Sequence, residues 1–449
     1  MGTRQRVTLK STHTVIPAKP TPGPCLHFLS NINLLYTELF YDPMVFYFRT
    51  GSDAIDSLKA SLSQALVHYP FLAGRVSTGE DGRLCVDCND KGILLIEAVA
   101  DARLDEWDSL INCPLETDLN IEDTSITDSS NAPILRIQLT TFQCGGLAIG
   151  YSWWHLCIDN PDCFRFMKSW FELHRGLDIS SEPSFDSRLL KARSPPCITH
   201  SVKDYISISK QLSAEETSGS YHNAPIVSPD LQVRTFHVKA DVLRELLQEV
   251  QKGPWGYELP TSFECLAALC WKTMTEARDL ADNCLTTYSY PINIRGIWQP
   301  SLHSGFFGNA CHISCVRAKA GDVKQNDLSY VAKLLRDDSQ ATTSDYLHSA
   351  VDFLQTAMDQ GKTIGFNSDF YGGTDVQGTD FSLYPIYSLD FGEGPPLHFS
   401  FTMAPIFGDC IAAIYPTPHN DQERTVTICM GASHVQQLLD NPLFQRFLL

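Results

Sequence analysis

Apolar residues recur at helical spacing in several parts of the chain. Between residues 53 and 69 they lie three or four positions apart, which places them on one face of a helix. Pro70 and Gly74 predict the end of that helix. The same spacing predicts further helices over residues 163–175, 240–251, 262–277, 329–358 and 435–449.

Shorter runs that alternate, or that are apolar throughout, predict strands over residues 7–10, 83–87, 93–97, 135–141, 147–151, 231–238, 284–294, 310–316 and 399–403. Residues 179–196 mix Ser, Pro and charged residues without periodicity, which indicates an exposed crossover. Residues 361–379 are polar and rich in glycine and predict a mobile loop. We therefore predict an α/β chain with an N-terminal half over residues 1–180, a crossover linker over 181–230 and a C-terminal half over 231–449.

Length and composition fit a compact protein of two domains. The 449 residues exceed what one ordinary hydrophobic core supports and match two domains of roughly 200 residues each. A hydrophobic content of 43% with 10% aromatic residues is typical of a folded globular chain. The net charge of −18 argues against a nucleic-acid partner, because phosphate backbones are bound by clustered Lys and Arg.

Cysteine usage and the lengths of apolar runs bear on location. The 15 cysteines are odd in number and spread along the chain, which favours free thiols in a reducing compartment over a disulfide framework. No apolar run approaches the roughly 20 residues that span a bilayer, and we expect no signal peptide. We therefore expect a cytoplasmic protein. Cys85 and Cys88 form a Cys-x-x-Cys pair in a strand-like run without a second pair, so we expect no metal site.

Two short motifs carry candidate chemistry. His155 and Asp159 lie just beyond the strand-like run 147–152. Imidazole titrates near neutral pH and can remove a proton from a hydroxyl or an amine, so His155 is a candidate general base. A buried structural histidine is the alternative. Far downstream, residues 390–394 read Asp-Phe-Gly-Glu-Gly, with two glycines and an acid suited to a tight turn. Alone, this second segment is more typical of a hairpin loop.

Together and in this order, the two motifs resemble those of the BAHD acyltransferases, which transfer acyl groups from coenzyme A to alcohols or amines. The marks of that family are His-x-x-x-Asp near the middle of the chain and Asp-Phe-Gly-Trp-Gly near the end. Four further segments are similar to family motifs, at residues 68–76, 261–268, 293–295 and 305–310. Two departures fall near the acceptor side. Glu393 stands where the family has tryptophan, and Leu383-Tyr384 stands where the family has a short Ser-Trp stretch.

The resemblance implies a fold, a co-substrate and a mechanism. The fold is of the coenzyme A-dependent acyltransferase type, similar to chloramphenicol acetyltransferase, with two α/β domains of similar size and a solvent channel at their interface. An acyl-CoA and a small-molecule alcohol or amine of specialised metabolism would bind together as a ternary complex. His155 would then remove a proton from the acceptor. The resemblance also implies a monomer without a bound cofactor.

Three further residues receive roles from the family pattern. Asp159 would point away from the cleft and pair with Arg295, which would fix the loop that carries His155. Breaking such a buried pair costs about 3–5 kcal/mol. Asp390 would anchor the conformation of the cleft, and we place it with His155 in the catalytic set.

The substrate contacts are assigned more broadly. Thr261 and Ser262 stand at a predicted helix start and are candidate coenzyme A contacts, although a simple helix cap fits them equally well. The candidate acceptor pocket comprises Trp154, Asn309, Tyr384 and Glu393.

Three other classes of protein fit parts of the pattern. A hydrolase would need a nucleophile near His155, and the sequence has no Gly-x-Ser-x-Gly elbow. A condensation domain of peptide synthesis carries a doubled histidine, whereas Trp154 precedes His155 here. A non-catalytic relative that acts as an interaction partner in fatty-acid elongation stays open, and biological activity that survives His155→Ala would show that the protein does not work as a transferase.

Overall fold

The computed structural model of the chain consists of two compact units. It describes residues 6–36, 41–107, 114–121, 126, 128–208, 231–256, 258–368, 373–401, 409–418 and 420–449. Unit 1 comprises Met1–Lys191, Pro300–Ala310 and Tyr384–Thr402, and unit 2 comprises Ala192–Gln299, Cys311–Leu383 and Met403–Leu449. Both units combine a six-stranded mixed sheet with helices, so the α/β class with two domains is confirmed. The domain boundaries at 180 and 230 stay a prediction, and residues 209–230 of that linker lie outside the described residues.

Strands and helices follow one another along both units. The strands of the described residues are β1 Val7–Val15, β2 Leu26–Phe28, β3 Tyr41–Phe48, β4 Arg75–Thr78, β5 Leu84–Asp87, β6 Ile93–Ala100, β7 Leu135–Thr141, β8 Leu147–Trp154, β9 Tyr205–Ile208, β10 Leu231–Val238, β11 Leu285–Asn293, β12 Cys311–Lys319, β13 Thr363–Phe366, β14 Val376–Asp380, β15 His398–Phe401, β16 Ile411–Pro416 and β17 Arg424–Gly431. The helices of the same residues are α1 Ile55–His68, α2 Leu104–Trp107, α3 Asn160–His174, α4 Ala240–Gln251, α5 Ser262–Ala277, α6 Ala320–Gln325, α7 Leu328–Ala341, α8 Ser344–Asp359, α9 Ala432–Asp440 and α10 Pro442–Leu448.

The main sheet of unit 1 has the strand order β1-β6-β7-β8-β3-β15. Strands β6 and β7 run parallel, and the other neighbouring pairs are antiparallel. Helices α1 and α3 pack on each other through their apolar faces. The indole nitrogen of Trp170 on α3 donates to the Leu58 carbonyl at 3.1 Å and to Ser61 Oγ at 3.0 Å on α1. This packing explains the helical spacing of apolar residues in both segments.

Strand β3 is an element of unit 1 that the sequence pattern did not predict. All of its side chains are buried, and the same is true of β8. A strand covered on both faces shows a continuous apolar run, as β8 does, but Asp42 and Pro43 interrupt that run in β3, so neither strand signal was present. Strand β3 pairs antiparallel with β8, with Tyr41 opposite Trp154. The start of β3 therefore lies beside the end of β8, where the His-x-x-x-Asp segment begins.

The sheet of unit 2 has the strand order β10-β17-β16-β14-β11-β12, and a separate pair joins β9 to β13. Helix α5 is buried along nearly its whole length, as expected for a helix covered on all sides. Its first turn is closed by a capping box. Thr261 Oγ accepts a hydrogen bond from the Glu264 N–H at 3.2 Å, and the Glu264 carboxylate accepts one from the Thr261 N–H at 2.7 Å. Arg336 on α7 donates to the same carboxylate at 2.7 Å.

Two predicted elements of unit 2 proved wrong in their extent. The single helix predicted over residues 329–358 is the pair α7 and α8, because Thr343 leaves the helical conformation and its side chain accepts from the Tyr346 N–H. The segment 361–379, predicted as a loop, contains the strands β13 and β14. Their partners β9 and β16 are distant in sequence, so no local pattern marked these short strands.

The terminal helix predicted over residues 435–449 is also two helices, α9 and α10. Asn441 lies in extended conformation between them and caps α10, and Pro442 lacks the N–H that would continue α9. Within the described ranges, no helix combines the length and apolar character that crossing a bilayer requires.

Candidate active site

His155 directly follows the last residue of β8 and lies beside the start of β3. Asp42, the second residue of β3, brings its Oδ2 to 3.9 Å from His155 Nε2. This distance is too long for a hydrogen bond, but it would let the carboxylate form an ion pair with a protonated imidazole. The Asp42 side chain is 6% exposed and that of His155 is 22% exposed. The ring is therefore reachable from solvent, and the carboxylate behind it is not.

Tyr36 forms the flat face against which the imidazole lies. The rings of Tyr36 and His155 stack with centroids 4.0 Å apart and planes 7° from parallel. Tyr36 is itself buried. A stack of this geometry restricts rotation of the imidazole about its side-chain torsions, and so fixes where its nitrogens point. Neither Tyr36 nor Asp42 was predicted from sequence, because both lie more than a hundred positions before the histidine.

Two buried amide side chains hold the backbone of the histidine loop. Asn309 Nδ2 donates to the His155 carbonyl at 2.5 Å, and Asn33 Nδ2 donates to the Leu156 carbonyl at 2.8 Å. Asn309 is 0% exposed and Asn33 is 3% exposed. The sequence placed Asn309 in the acceptor pocket, which stays a prediction, and it had no signal for Asn33. The described contact of Asn309 is with the loop that carries the histidine.

Asp159 ties the same loop to the start of α3 and to a segment of unit 1 that is distant in sequence. Its side chain caps α3 by accepting from the Asp162 N–H at 3.4 Å, and its Oδ2 accepts from the Ala310 N–H at 2.9 Å. Asp162 in turn accepts a hydrogen bond from the Gly308 N–H. Asp159 is 1% exposed, so its carboxylate serves backbone donors away from water. The pairing of Asp159 with Arg295 stays a prediction.

The environment of His155 favours its neutral form. Burial lowers the pKa of His155 below its usual value, and a backbone hydrogen bond at His155, followed by the Asp159 carboxylate, opposes that shift only in part. A histidine with a lowered pKa is largely unprotonated at neutral pH and can accept a proton. The arrangement is therefore suited to general-base chemistry at a ring that is stacked on one face and partly open to solvent.

Residues 390–394 form a tight turn in unit 1 that is organised by its own aspartate. Asp390 Oδ1 accepts hydrogen bonds from the Gly392 N–H at 2.7 Å and from the Gly394 N–H at 2.9 Å. Both glycines have positive φ angles, of 114° and 91°, that other residues rarely adopt. Phe391 is buried against Phe48, which fixes the turn on the main sheet. These contacts give Asp390 an anchoring role in the turn.

Of the two departures from the family pattern, Glu393 lies within this turn and Tyr384 lies shortly before it. Glu393 is exposed, and its Oε2 accepts a hydrogen bond from Thr50 Oγ at 2.9 Å. Tyr384 stacks on Phe164 of α3 with centroids 4.7 Å apart. Trp154, the other aromatic candidate, is 1% exposed, so its ring belongs mainly to the core of unit 1. Their acceptor-pocket role stays a prediction.

The remaining candidates lie in unit 2. The Thr261 hydroxyl is engaged in the capping box of α5, as the simpler interpretation of this residue had it. Ser262 is the first residue of α5 and is partly exposed. Arg295 lies in a short turn after β11, where its N–H and guanidinium both donate to Asn293 Oδ1, at 3.1 and 3.3 Å. Coenzyme A contacts at Thr261 and Ser262 stay predictions.

Comparison with known proteins identifies the family. A family model described as "Transferase family" matches residues 5–442. The chain is 31% identical to shikimate O-hydroxycinnamoyltransferase from Nicotiana tabacum, over 99% of this chain and 99% of that protein. The match therefore runs over nearly the whole length of both proteins.

Solved structures agree on the fold. Vinorine synthase superposes with a TM-score of 0.75 at 20% identity, over 98% of both chains. F. sporotrichioides TRI101, in a structure described as complexed with coenzyme A and T-2, superposes with a TM-score of 0.72 at 15% identity, over 94% of this chain and 99% of that one. At these identities the likeness establishes the fold, and the match of family model and curated relative establishes the class. The chain is therefore an acyltransferase that belongs to the BAHD family.

Proposed function

We propose that this protein transfers a hydroxycinnamoyl-type acyl group from its coenzyme A thioester to an alcohol or amine acceptor of specialised metabolism, with His155 as general base. The observation that carries the proposal is the imidazole at the end of β8, stacked on Tyr36, partly exposed and favoured in its neutral form. The acyl class is supported by the relative from Nicotiana tabacum, which is named for hydroxycinnamoyl transfer.

The chemistry follows from the ring and its neighbours. A thioester carbonyl is already activated, so the main task is to remove a proton from the attacking oxygen or nitrogen. His155 takes that proton while the acceptor attacks the carbonyl carbon. The tetrahedral intermediate then collapses, the carbon–sulfur bond breaks, and the proton passes from the imidazolium to the leaving sulfur. The products are the ester or amide and free coenzyme A.

Asp42 supports this cycle through its charge. During the reaction the imidazole becomes positively charged, and the Asp42 carboxylate lies 3.9 Å from Nε2. An opposite charge at this distance favours the protonated ring. Asp42 thereby stabilises the imidazolium that forms beside the tetrahedral intermediate. Asp42 would thus act through His155, as a positioning residue.

The acyl class is tested by offering purified protein a panel of thioesters and measuring released thiol. We expect p-coumaroyl-CoA or caffeoyl-CoA to give a higher kcat/KM than acetyl-CoA, malonyl-CoA or a long-chain acyl-CoA, with shikimate, an aromatic amine and an ω-hydroxy fatty acid as trial acceptors. Thiol release without acceptor provides the control for hydrolysis. A preference for acetyl-CoA would overturn the acyl class, and the absence of turnover with every pair would overturn the proposed function.

The pH dependence of kcat/KM should show one rising limb with an apparent pKa below 6.5. The base is active when neutral, so activity is lost as pH falls through the pKa of the histidine. Because burial lowers that pKa, the loss should occur at a lower pH than for an exposed histidine. The profile is measured with saturating acyl-CoA and subsaturating acceptor from about pH 5 to 8. A limb centred above 6.5 would contradict the neutral-base environment.

A further inference from the structure

A cluster of soft metal-ligand side chains lies in the small sheet of unit 1, which has the strand order β2-β5-β4. Strand β2 pairs antiparallel with β5, with Leu26 opposite Asp87. The next pair outward is Cys25 and Cys88, and the Cys88 N–H donates to the Cys25 carbonyl at 2.9 Å. His27 is two residues from Cys25, so both side chains point to the same face of the strand. The pairing therefore gathers two thiols and an imidazole on one face.

The three donor atoms are already close together. Cys25 Sγ lies 3.3 Å from His27 Nε2, and the ligand atoms of Cys25, His27 and Cys88 all lie within 4.8 Å of one another. Tetrahedral zinc with Zn–S of about 2.3 Å and Zn–N of about 2.0 Å needs donors separated by roughly 3.4–3.8 Å. Only small side-chain rotations separate the observed spacing from that geometry.

The surroundings suit an imidazole ligand and a partly enclosed ion. His27 packs against Phe185 and Phe71, with ring centroids at 4.9 and 6.0 Å, which limits its rotation. Cys88 is 5% exposed, and Cys25 and His27 are half-buried, so the three donors lie partly out of water.

The sequence predicted no metal site at the Cys-x-x-Cys pair, and only one of its two cysteines, Cys88, belongs to the cluster. Cys85 and Cys88 are three residues apart, and successive side chains along β5 point to opposite faces. Cys85 instead lies beside Ser77 on β4, with Sγ and Oγ 3.2 Å apart. The partners of Cys88 come from β2, some sixty residues earlier, which is why the sequence pattern did not reveal the cluster.

We propose that Cys25, His27 and Cys88 bind one zinc ion, with water in the fourth position. Two thiolates and an imidazole are the donor set that favours zinc among the common divalent cations. The ion would fasten the start of β2 to the end of β5. The chain that leaves β2 carries Asn33 and Tyr36 to the histidine loop, so the ion would stabilise the segment from which those two contacts come.

The test uses the full chain, purified under reducing conditions and stripped with a chelator. After addition of Zn²⁺ and desalting, elemental analysis should find close to one zinc per chain, and Co²⁺ should give a thiolate charge-transfer band with the visible absorption of a tetrahedral site.

Cys25→Ser, His27→Gln and Cys88→Ser should each weaken binding by more than about tenfold. Cys85→Ser, in the same small sheet, and Cys144→Ser, an exposed thiol, are matched controls that should retain the ion. Zinc should also raise the unfolding temperature of the wild-type chain.

Three results would overturn the proposal. The first is wild-type protein without stoichiometric metal under these conditions. The second is loss of the ion from Cys85→Ser as large as that from Cys25→Ser. The third is a Cys25–Cys88 disulfide, found by mass spectrometry of unreduced peptides from freshly isolated protein, since the same two sulfurs cannot then ligate. His27→Gln removes one ligand without touching either thiol, so it separates loss of the site from misfolding of the buried Cys88 variant.

Discussion

Replacing His155 with alanine is expected to lower kcat/KM for acyl transfer by about 100- to 10,000-fold, the usual contribution of a positioned general base. In free energy this corresponds to about 3–5 kcal/mol of transition-state stabilisation. The physical reason is that water would have to accept the acceptor's proton without the alignment that stacking on Tyr36 provides. The measurement is initial-rate release of free thiol from the preferred acyl-CoA.

The fold should survive this replacement, which makes the kinetic result interpretable. The ring is partly exposed, and the hydrogen bond from Asn309 goes to the His155 backbone carbonyl, which alanine keeps. His13→Ala, at a half-exposed histidine on β1, is the matched control and should leave kcat/KM unchanged. Wild-type activity in His155→Ala with a normal unfolding temperature would refute the base assignment.

The sequence could predict those features of the site that depend only on residues adjacent in the chain. The apolar run of β8 ends at Trp154, so the histidine was correctly placed just beyond a buried strand. The apolar spacing predicted the next helix over residues 163–175, downstream of His155. The structure agrees, because Asp159 is in extended conformation and α3 begins at Asn160. In each case a short stretch of sequence fixes its own backbone conformation.

The contacts that sequence could not predict depend on pairing between distant segments. Asp42 reaches the imidazole because β3 pairs with β8, and β3 gave no strand signal, since both of its faces are buried and Asp42 and Pro43 interrupt its apolar run. Asn33 and Tyr36 come from the segment after β2, which carries no motif. Asn309 was noticed only through its family motif, and its contact with the His155 carbonyl follows from the fold of unit 1.

In the motif at residues 390–394, the sequence predicted the turn but not the contact that the Glu393 side chain makes. Asp390 and the two glycines were expected to make a tight turn, and the hydrogen bonds from the glycine N–H groups to Asp390 do so. Glu393 takes no part in those bonds, since its exposed carboxylate accepts from Thr50. Loss of the family's tryptophan at this position is therefore compatible with an unchanged turn. The substitution instead affects the groups that the exposed Glu393 side chain contacts, such as Thr50.

Replacing Asp159 with alanine is expected to destabilise the chain by about 2–4 kcal/mol. Loss of an N-cap costs about 1 kcal/mol, and a buried N–H left without its acceptor costs about 1–3 kcal/mol. Asp159 supplies both functions, capping α3 and accepting from the Ala310 N–H, while 1% exposed. Since α3 and the segment at Ala310 hold the loop of His155, kcat should fall as well. Chemical denaturation and thiol-release kinetics measure the two effects.

The capping contribution can be separated from the buried one with a second helix. Asp327 caps α7 by accepting from the Tyr330 N–H at 2.9 Å in an exposed position, so Asp327→Ala should cost only the capping energy of about 1 kcal/mol and leave kcat unchanged. Asp159→Asn keeps an oxygen acceptor for one backbone donor and should be less destabilising than Asp159→Ala. If Asp159→Ala proved no more destabilising than Asp327→Ala, the bond to Ala310 would contribute nothing to stability. Unchanged kcat in Asp159→Ala would mean that the histidine keeps its position without the link between α3 and the segment at Ala310.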